Sequence, residues 1–467
     1  MNKKHSLGLF IFRRDLRIED NSSLIYAIRL CQRILPCFIF DPQQVENNPY
    51  RGDFAVQFMV ESLLDLQAEL IKNGGKLYLF YGKPEEVLLK IFEQTHFDAL
   101  FINRDYTPFS KKRDNNINNF CKNQNITFYS LNDALLTQPE DTLNNNKTPI
   151  TVFSRFYKKA MTLPVSKSQK VTDIQYYREH ILGEIQELKT LPFLPDKNEK
   201  ARLKGGRKEG LKILKRACNL QDYKNHRDII EKEANTFLSP YLKFGCLSPR
   251  EVFHTIKNNN PDPEPILRQL YWRDFFTTIA FYFPYVFGNA FNKSFQDVWW
   301  SKDENTFHLW SEGMTGFPIV DAGMRELKTT GWMHNRARLI VGSFLTKDLH
   351  MSWLWGEKYF ATKLIDYDPS VNNGNWQWVA GTGCDAQPYF RIFNPWLQSK
   401  RFDPDTIYIK KWIPELKNVP SAHIHQWDIF HKDYREIDYP APIVNHHEEA
   451  EQSKILFKRA RLNLKSN

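Results

Sequence analysis

Several features that define whole protein classes are missing from this chain of 467 residues. Its six cysteines, at positions 31, 37, 121, 218, 246 and 384, form no Cys-x-x-Cys pair, which argues against a disulfide framework or a structural zinc site and favours the reducing cytoplasm. No apolar run is long enough to cross a bilayer, and the N-terminus lacks the apolar segment of a secretory signal. No Gly-x-Gly-x-x-Gly follows the first predicted strand, so the usual dinucleotide fingerprint is absent.

The composition is basic and rich in aromatic rings. The formal net charge is +10, and aromatic residues make up 14% of the chain, including 12 tryptophans. Clustered lysine and arginine side chains favour a polyanionic partner because they release counterions from phosphates, but ordinary solubility charge explains the same balance equally well. Twelve indoles exceed what core packing needs, which indicates a further role for some of them.

The first 130 residues alternate short apolar runs with amphipathic stretches. This alternation predicts a Rossmann-like parallel α/β domain with helices on both faces of the sheet. The predicted strands are 7–12, 34–40, 76–81, 99–102 and 126–129, and the predicted helices are 22–30, 54–71, 84–92 and 110–123.

A turn-rich segment and then a long helical region follow. Residues 131–210 have weak periodicity, which indicates a connector, and from residue 211 to residue 467 the pattern predicts an all-helical domain. A basic run starts in the last part of the connector; it comprises Lys200, Arg202, Lys204, Arg207, Lys208, Lys212, Lys215 and Arg216.

One helical stretch, RQLYWRDFF, presents three different polar or planar groups on one face. Gln269, Trp272 and Arg273 have spacings of three and four residues, which places them together on a helix. An amide, an indole and a guanidinium suit a base edge, a base plane and a phosphate. Taken alone, the triplet is equally typical of an ordinary helix face.

A second stretch, HNRARL, is followed by the acidic and amide-rich DYDPSVNNGNWQW. Arg338 can form a forked hydrogen bond to a carboxylate such as Asp366 or Asp368. Taken alone, this pair indicates no more than a surface salt bridge. Planar rings, amides and carboxylates in one region suit a large flat polar cofactor and a nucleic-acid base.

Together these motifs resemble those of the photolyase/cryptochrome family, most closely its class I DNA photolyases for cyclobutane pyrimidine dimers. WRDF, HNRAR, DYDPSVNNGNWQW and PYFRIFNP occur in the family's order and separation, as does SPYLKFGCLSPREVF at 239–253. FIFRRDLRIEDN resembles the family's opening strand, so the resemblance covers residues 9–427. It implies FAD held in a folded conformation by the helical domain.

The resemblance also implies which residues contact FAD. Asn372 matches the position that faces flavin N5; a neutral amide cannot act as an acid there, and plant cryptochromes have Asp at that place, so Asn372 favours repair. The cofactor-binding residues implied by motif are Tyr223, Thr236, Leu238, Ser239, Gln269, Trp272, Arg273, Asn335, Arg338, Asp366, Asp368 and Asn372.

Three tryptophans match the family's electron-transfer chain. Trp376 would lie nearest the flavin, Trp353 in the middle and Trp300 near the surface. They would also be core aromatics, and burial is compatible with conduction. With Asn372 and Gln269 they form the expected catalytic set.

UV-damaged DNA is the partner that the resemblance implies. The expected geometry is a flipped-out pyrimidine pair with its apolar side on tryptophan rings and its polar edge on amides, while arginines and the basic run hold phosphates. The implied DNA contacts are Arg227, Gln269, Trp272, Asn335, Arg336, Leu339 and Trp378.

Two positions depart from class I enzymes, which usually have Glu where Gln269 stands and Met where Leu339 stands. Both changes concern the efficiency of dimer splitting more than binding. The (6-4) photolyases resemble this chain at Gln269 but need histidines where Asn335 and Leu339 stand. His334 is one place off and would point elsewhere on the helix, so (6-4) repair is not expected.

The motifs therefore predict a monomeric cytoplasmic enzyme that repairs cyclobutane dimers with light absorbed by reduced FAD. The alternative is a cryptochrome-type blue-light receptor, to which Gln269 and Leu339 lend weight; nothing in the chain favours a flavoprotein without light chemistry. A second, antenna chromophore is undecided between folate, deazaflavin and none, with NRDYTPF at 103–109 as the segment it would contact.

Overall fold

The computed structural model describes residues 3–46, 48–171, 173–188 and 191–463. The chain divides into two compact units. Unit 1 comprises Met1–Asn198, Leu203–Leu220 and Thr236–Pro284, and unit 2 comprises Glu199–Arg202, Gln221–Asn235 and Tyr285–Asn467. The predicted boundaries at residues 130 and 210 stay a prediction.

Unit 1 is built on a parallel sheet with the strand order β3-β2-β1-β4-β5. Four of its strands are mostly buried apolar runs, as expected where helices cover both faces, whereas the edge strand β5 is half-buried. The predicted parallel sheet is confirmed, and β2 begins three residues earlier than predicted because it follows the first helix directly. The strands are β1 His5–Phe12, β2 Cys31–Phe40, β3 Tyr78–Tyr81, β4 Ala99–Asn103 and β5 Thr127–Leu131.

The four helices predicted within the first 130 residues are present, and the predicted helical C-terminal region is confirmed, whereas the helices Pro42–Val45 and Phe153–Ala160 were not predicted. Short 3-10 turns connect several of them, and Phe344–Asp348 forms a π-helical turn. The helices are α1 Ser22–Leu30, α2 Pro42–Val45, α3 Asp53–Lys72, α4 Pro84–Thr95, α5 Pro108–Asn123, α6 Phe153–Ala160, α7 Arg207–Cys218, α8 Tyr223–His226, α9 Ser239–Lys243, α10 Pro249–Asn259, α11 Glu264–Tyr282, α12 Glu304–Glu312, α13 Pro318–Thr330, α14 Asn335–Ser343, α15 Trp353–Lys363, α16 Pro369–Ala380, α17 Pro395–Phe402, α18 Ile407–Trp412, α19 Ser421–Ile424, α20 Trp427–Phe430 and α21 His446–Asn463.

Two of the sequence motifs meet in a buried charge cluster of unit 1. Asp133 accepts from Arg17 at 2.6 Å and from Arg250 at 2.8 Å, and Arg250 also pairs with Asp20 at 3.0 Å. Arg17 and Asp20 belong to RRDLRIEDN, and Arg250 belongs to KFGCLSPREVF. Gly245 has a φ of +65°, and a Cβ there would lie 2.1 Å from the Arg14 carbonyl oxygen, so this contact requires glycine.

The core of unit 2 consists of helices packed around aromatic side chains. Trp310 and Trp427 are fully buried in it, and α13, α14, α15 and α16 each contribute buried apolar side chains. In the described part of the chain, no helix combines the length and apolar character needed to cross a membrane. Nor do the described residues contain a cluster of His, Cys, Asp or Glu that could hold a metal ion.

Candidate cofactor and DNA site

Helix α16 and its N-cap carry four of the predicted site residues in unit 2, namely Asp368, Asn372, Trp376 and Trp378. Asp368 caps its N-terminus, where the carboxylate accepts from the backbone N–H of Ser370 at 3.0 Å and of Val371 at 3.2 Å. Gly381, with a φ of +80°, ends the helix. Asn372 and Trp376 are four residues apart and therefore share one helix face.

The Asn372 amide is buried and only half satisfied. Its side chain is 8% exposed, and its Nδ2 donates to the Glu357 carbonyl oxygen at 3.0 Å. Among the described residues, no donor reaches its side-chain oxygen. This oxygen can therefore accept a hydrogen bond from an N–H of a bound group. The residues present therefore fit the flavin that the resemblance implies.

A polar network next to Asn372 was not predicted from the sequence. Asn373 donates to the Glu357 carboxylate and to the Val286 carbonyl oxygen, each at 3.0 Å, and Gln377 donates to the Asn373 side-chain oxygen at the same distance. Burial raises the pKa of Glu357 to about 7, against the opposing hydrogen bond from Asn373. The sequence NNGNWQW already showed that Asn373 and Gln377 are four residues apart. Glu357 belongs to no motif, so the sequence did not indicate its place in the network.

The predicted pairing of Arg338 is present. Its Nη2 lies 3.3 and 3.1 Å from the two carboxylate oxygens of Asp366, and its Nε donates to the Met333 carbonyl oxygen. On the same helix, α14, Asn335 is exposed and Leu339 is half-buried.

His334 precedes Asn335, the first residue of α14, and so does not share its position on the helix. It caps α14, where its Nδ1 accepts from the Arg336 backbone N–H at 3.0 Å. Burial lowers the pKa of His334 to about 4, which keeps the ring neutral and able to accept that bond.

The three predicted electron-transfer tryptophans lie on adjacent segments of unit 2. Trp376 packs against Gly356, where an added Cβ would lie 2.2 Å from the indole, and Gly356 is three residues beyond Trp353 on α15. Ser301, next to the half-buried Trp300, donates to the His350 carbonyl oxygen at 2.7 Å, just before α15.

A fourth tryptophan, not singled out in the sequence, contacts this group. The ring centroid of Trp310 lies 6.4 Å from that of Trp376, and its indole N–H donates to the Val341 carbonyl oxygen. Trp353 and Trp376 are each 3% exposed. The burial expected of the two inner tryptophans is therefore present.

In unit 1, α11 carries Gln269, Trp272 and Arg273. Gln269 is half-buried, and its Nε2 donates to the Pro265 carbonyl oxygen at 3.0 Å. Arg273 lies 3.7 Å from the carboxylate of the adjacent Asp274. The half-buried Trp272 stacks on Phe153 of α6, with ring centroids 3.5 Å apart.

The segment before α9 carries another predicted set in unit 1. Thr236 is half-buried, Leu238 is buried and Ser239 is exposed. Phe237 between them has a φ of +55°. A bulky residue in the left-handed region stores strain of about 1–3 kcal/mol, and such strain clusters at functional sites.

Some of the predicted DNA-contacting residues of unit 2 interact with other residues of the protein. Arg336 pairs with Asp228 at 2.8 Å, and its guanidinium lies 4.3 Å from the Phe402 ring centroid. Arg227 and Trp378 are half-buried, and the Arg227 guanidinium lies 6.0 Å from the ring of the buried Tyr223.

The expectation that the basic run holds phosphates stays a prediction, but two of its residues have carboxylate partners within the protein. In unit 1, Arg207 forms two hydrogen bonds of 2.8 Å with the Glu251 carboxylate, and Lys208 pairs with Asp65 at 3.3 Å. A forked arginine–carboxylate pair fixes its geometry, so Arg207 serves the fold. The sequence showed the basic run, but it did not show which of its residues form ion pairs within the protein.

Comparisons with known proteins agree along the whole chain. Residues 9–172 match the model of the DNA photolyase domain, and residues 266–459 match that of the FAD binding domain of DNA photolyase. A deoxyribodipyrimidine photo-lyase of Alkalihalophilus pseudofirmus is 36% identical, over 98% of this chain and 99% of that protein.

Two solved structures are similar throughout. An archaeal photolyase from Sulfolobus tokodaii, solved with two FAD molecules, has 42% identity and a TM-score of 0.88, covering 97% of this chain and 100% of its own. A cryptochrome from Synechocystis has 30% identity and a TM-score of 0.87, covering 98% and 100%.

Proposed function

The chain belongs to the DNA photolyase family, and from this premise we propose that it repairs cyclobutane pyrimidine dimers in UV-damaged DNA with the energy of light. Bound FAD supplies light absorption and a one-electron donor, so the protein needs no nucleophile, general base or metal. The observation that carries the proposal is Asn372, a buried residue whose side-chain oxygen has no hydrogen-bond partner among the residues that the structure describes. A neutral acceptor there favours repair over signalling.

Each remaining site residue is given a role that its chemistry supports. Trp376, Trp353 and Trp300 deliver electrons from the surface, and the Arg338–Asp366 pair fixes the polar wall of the cofactor site. The rings of Trp272 and Trp378 stack on the dimer, and the amides of Asn335 and Gln269 meet its polar edge. The remaining cofactor contacts are assigned to Tyr223, Thr236, Leu238, Ser239, Arg273 and Asp368, and the remaining DNA contacts to Arg227, Arg336 and Leu339.

A cryptochrome-type receptor is the second candidate. Gln269 favours it, because its amide nitrogen is bonded to the Pro265 carbonyl oxygen and its neutral side chain brings no negative charge. The similarity to the Synechocystis cryptochrome extends over the same length as that to the photolyases. Asn372, Trp378 and the basic balance of the chain favour repair.

A second chromophore is also proposed, because the Sulfolobus tokodaii relative holds two FAD molecules. The segment 103–109 does not fit it well. Asn103 donates to the Asp15 carboxylate, and Asp105 pairs with Arg14. The cavity at the carboxyl ends of β1 and β4 has a volume of about 10 Å³, which admits a water molecule and no ring system.

We propose that the protein acts as a monomer in the cytoplasm. All six cysteines are buried thiols. Burial raises the pKa of Cys31 to about 12 and of Cys246 to about 11, so these thiols are unreactive. Such thiols suit a reducing compartment.

The test is illumination of FAD-loaded, chemically reduced protein with an oligonucleotide that contains one thymine dimer. Repair restores thymine absorbance under light and not in the dark. An undamaged oligonucleotide and heat-denatured protein are the controls. Binding of FAD with a light response but without restored thymines would contradict repair and support the receptor.

A further inference from the structure

One face of the Trp272 indole packs against Phe153, a residue of the segment 131–210 that was predicted as the connector. Phe153, the first residue of α6, is 2% exposed, and its ring lies parallel to the indole of Trp272 within 7°, with the centroids 3.5 Å apart. The two residues are far apart in sequence and both belong to unit 1. A parallel pair at this distance overlaps over most of the smaller ring.

Phe153 is itself fixed by further contacts. Tyr157, one turn along α6, stacks on it with an interplanar angle of 14°, and the Arg268 guanidinium lies 5.4 Å from the Phe153 ring and 4.9 Å from that of Tyr157. Phe275 meets Phe153 edge-on at 5.7 Å. The orientation of Phe153 is therefore determined from several sides.

We propose that Phe153 is a positioning residue that sets the discrimination between damaged and undamaged DNA. The inference rests on the proposed function, in which Trp272 stacks on the flipped dimer. Phosphate contacts bind any DNA equally, so discrimination depends on contacts with the bases. An indole held in place before binding loses less conformational freedom when the dimer arrives.

The test compares two substitutions on α6. Phe153→Leu removes the ring and keeps an apolar side chain. Phe156→Leu is the matched control, because Phe156 is fully buried on the same helix and meets Phe275 edge-on at 5.3 Å. Affinity for an oligonucleotide with one dimer and for its undamaged twin is measured in the dark with FAD-loaded protein.

Phe153→Leu is expected to weaken dimer binding roughly 2- to 12-fold, the value of one aromatic pair, and to leave undamaged DNA binding unchanged. Phe156→Leu is expected to lower thermal stability without changing the affinity ratio. Phe153→Tyr keeps the ring and should restore the ratio. Phe153→Met, which fills irregular gaps, replaces the leucine variant if that variant does not fold.

An unchanged ratio in Phe153→Leu, or an equal change in Phe156→Leu, would overturn the inference while the proposed function stands. If the wild-type protein itself does not distinguish the dimer, the proposed function and the inference both fail.

Discussion

The loops after the strands of unit 1 and the core of unit 2 treat buried charge in opposite ways. In these loops of unit 1, two buried carboxylates face guanidinium groups: burial alone would raise the pKa of Asp133, but Arg17 and Arg250 hold it well below its ordinary value. The pKa of Asp105 is lowered in the same way, by Arg14 and its neighbours. These groups stay charged, and their pairing fixes the loops after the strands.

In unit 2, buried ionisable groups mostly face hydroxyls, amides or carbonyls. Burial raises the pKa of Glu326 and of Glu357 to about 7 and that of Asp348 to about 6, and it lowers the pKa of His334 to about 4. The pKa of Lys347, bonded to the Ala380 carbonyl oxygen, lies well below its ordinary value. Burial therefore favours the neutral forms around α14, α15 and α16.

Other acids of unit 1 are not held charged by arginines, since burial raises the pKa of Asp15, Asp41 and Glu69. Asp274 is fully buried, and burial raises its pKa to about 7 despite the nearby Arg273. It lies on α11, which also carries Gln269 and Trp272. Two of the buried acids whose pKa is raised to about 7, Asp274 and Glu357, thus lie on helices that carry predicted site residues, α11 and α15. Perturbed acids of this kind are common at functional sites.

Breaking the framework cluster should have the largest effect. Asp133→Ala leaves Arg17 and Arg250 buried without their shared carboxylate, which we expect to cost about 3–5 kcal/mol in the free energy of unfolding. The control is Glu179→Ala, which removes the exposed Arg33–Glu179 pair and should cost about 0–1 kcal/mol. Denaturant unfolding measures both, and equal losses would contradict the role of the cluster.

Two acids, Glu357 in unit 2 and Glu140 in unit 1, should make stability depend on pH with opposite signs. The folded-state pKa of Glu357 is raised to about 7, so the stability that it gives is present at low pH and is lost as the pH rises from about 4.5 to about 7. Glu357→Gln should therefore gain stability relative to wild type between pH 5 and pH 8, by up to about 3 kcal/mol.

Glu140 in unit 1 is the matched opposite. Its pKa is lowered by Arg104 despite partial burial, so its contribution is present above its unfolded-state pKa and is lost as the pH falls. Glu140→Gln should lose relative stability toward high pH. Unfolding curves at pH 5 and pH 8 measure both variants, and parallel pH profiles would contradict the comparison.

Removing the inner tryptophan should separate two light reactions. Trp376→Phe should slow photoreduction of the oxidised flavin at least about tenfold, because phenylalanine is far harder to oxidise, and should spare repair by chemically reduced protein. Trp427→Phe, a buried indole outside the predicted chain, is the control. Absorbance under blue light measures the first reaction, and loss of both reactions would contradict the role given to Trp376.

The smallest effect concerns DNA binding. Arg227→Gln should lower the slope of log affinity against log salt concentration by roughly 0.9, the value of one phosphate contact. Arg207→Gln should leave the slope unchanged, because Arg207 is bonded to Glu251 in the fold. Titration of an irradiated oligonucleotide at several salt concentrations measures both. A lower slope with Arg207→Gln and an unchanged slope with Arg227→Gln would contradict the assignment of Arg227 to a phosphate contact.

Local pattern predicted most of the fold. Helix α1 was predicted with its observed bounds, and the five strands were predicted within a few residues, because apolar runs and caps such as Asn21 are local signals. Helix α6 was missed, since its eight residues lie in a turn-rich segment and its main partner, Trp272, is distant in sequence.

The candidate site was predictable where a short sequence motif alone determines which chemical groups are present. A pairing of Arg338 with either Asp366 or Asp368 was expected, and the structure shows the pair with Asp366; the burial of Trp353 and Trp376 was expected of core aromatic residues. The role of Glu357 and the internal pairing of Arg207 were not predictable, because each depends on a partner that only the folded chain brings close.

The wavelength dependence of repair tests the central claim most directly. Chemically reduced, FAD-loaded protein is mixed with a single-dimer oligonucleotide and illuminated at a series of wavelengths, and restored thymines are counted per absorbed photon. Repair should occur only in the light and should follow the absorption of the bound reduced flavin. Restoration in the dark, or a yield of zero at every wavelength that the flavin absorbs, would contradict it.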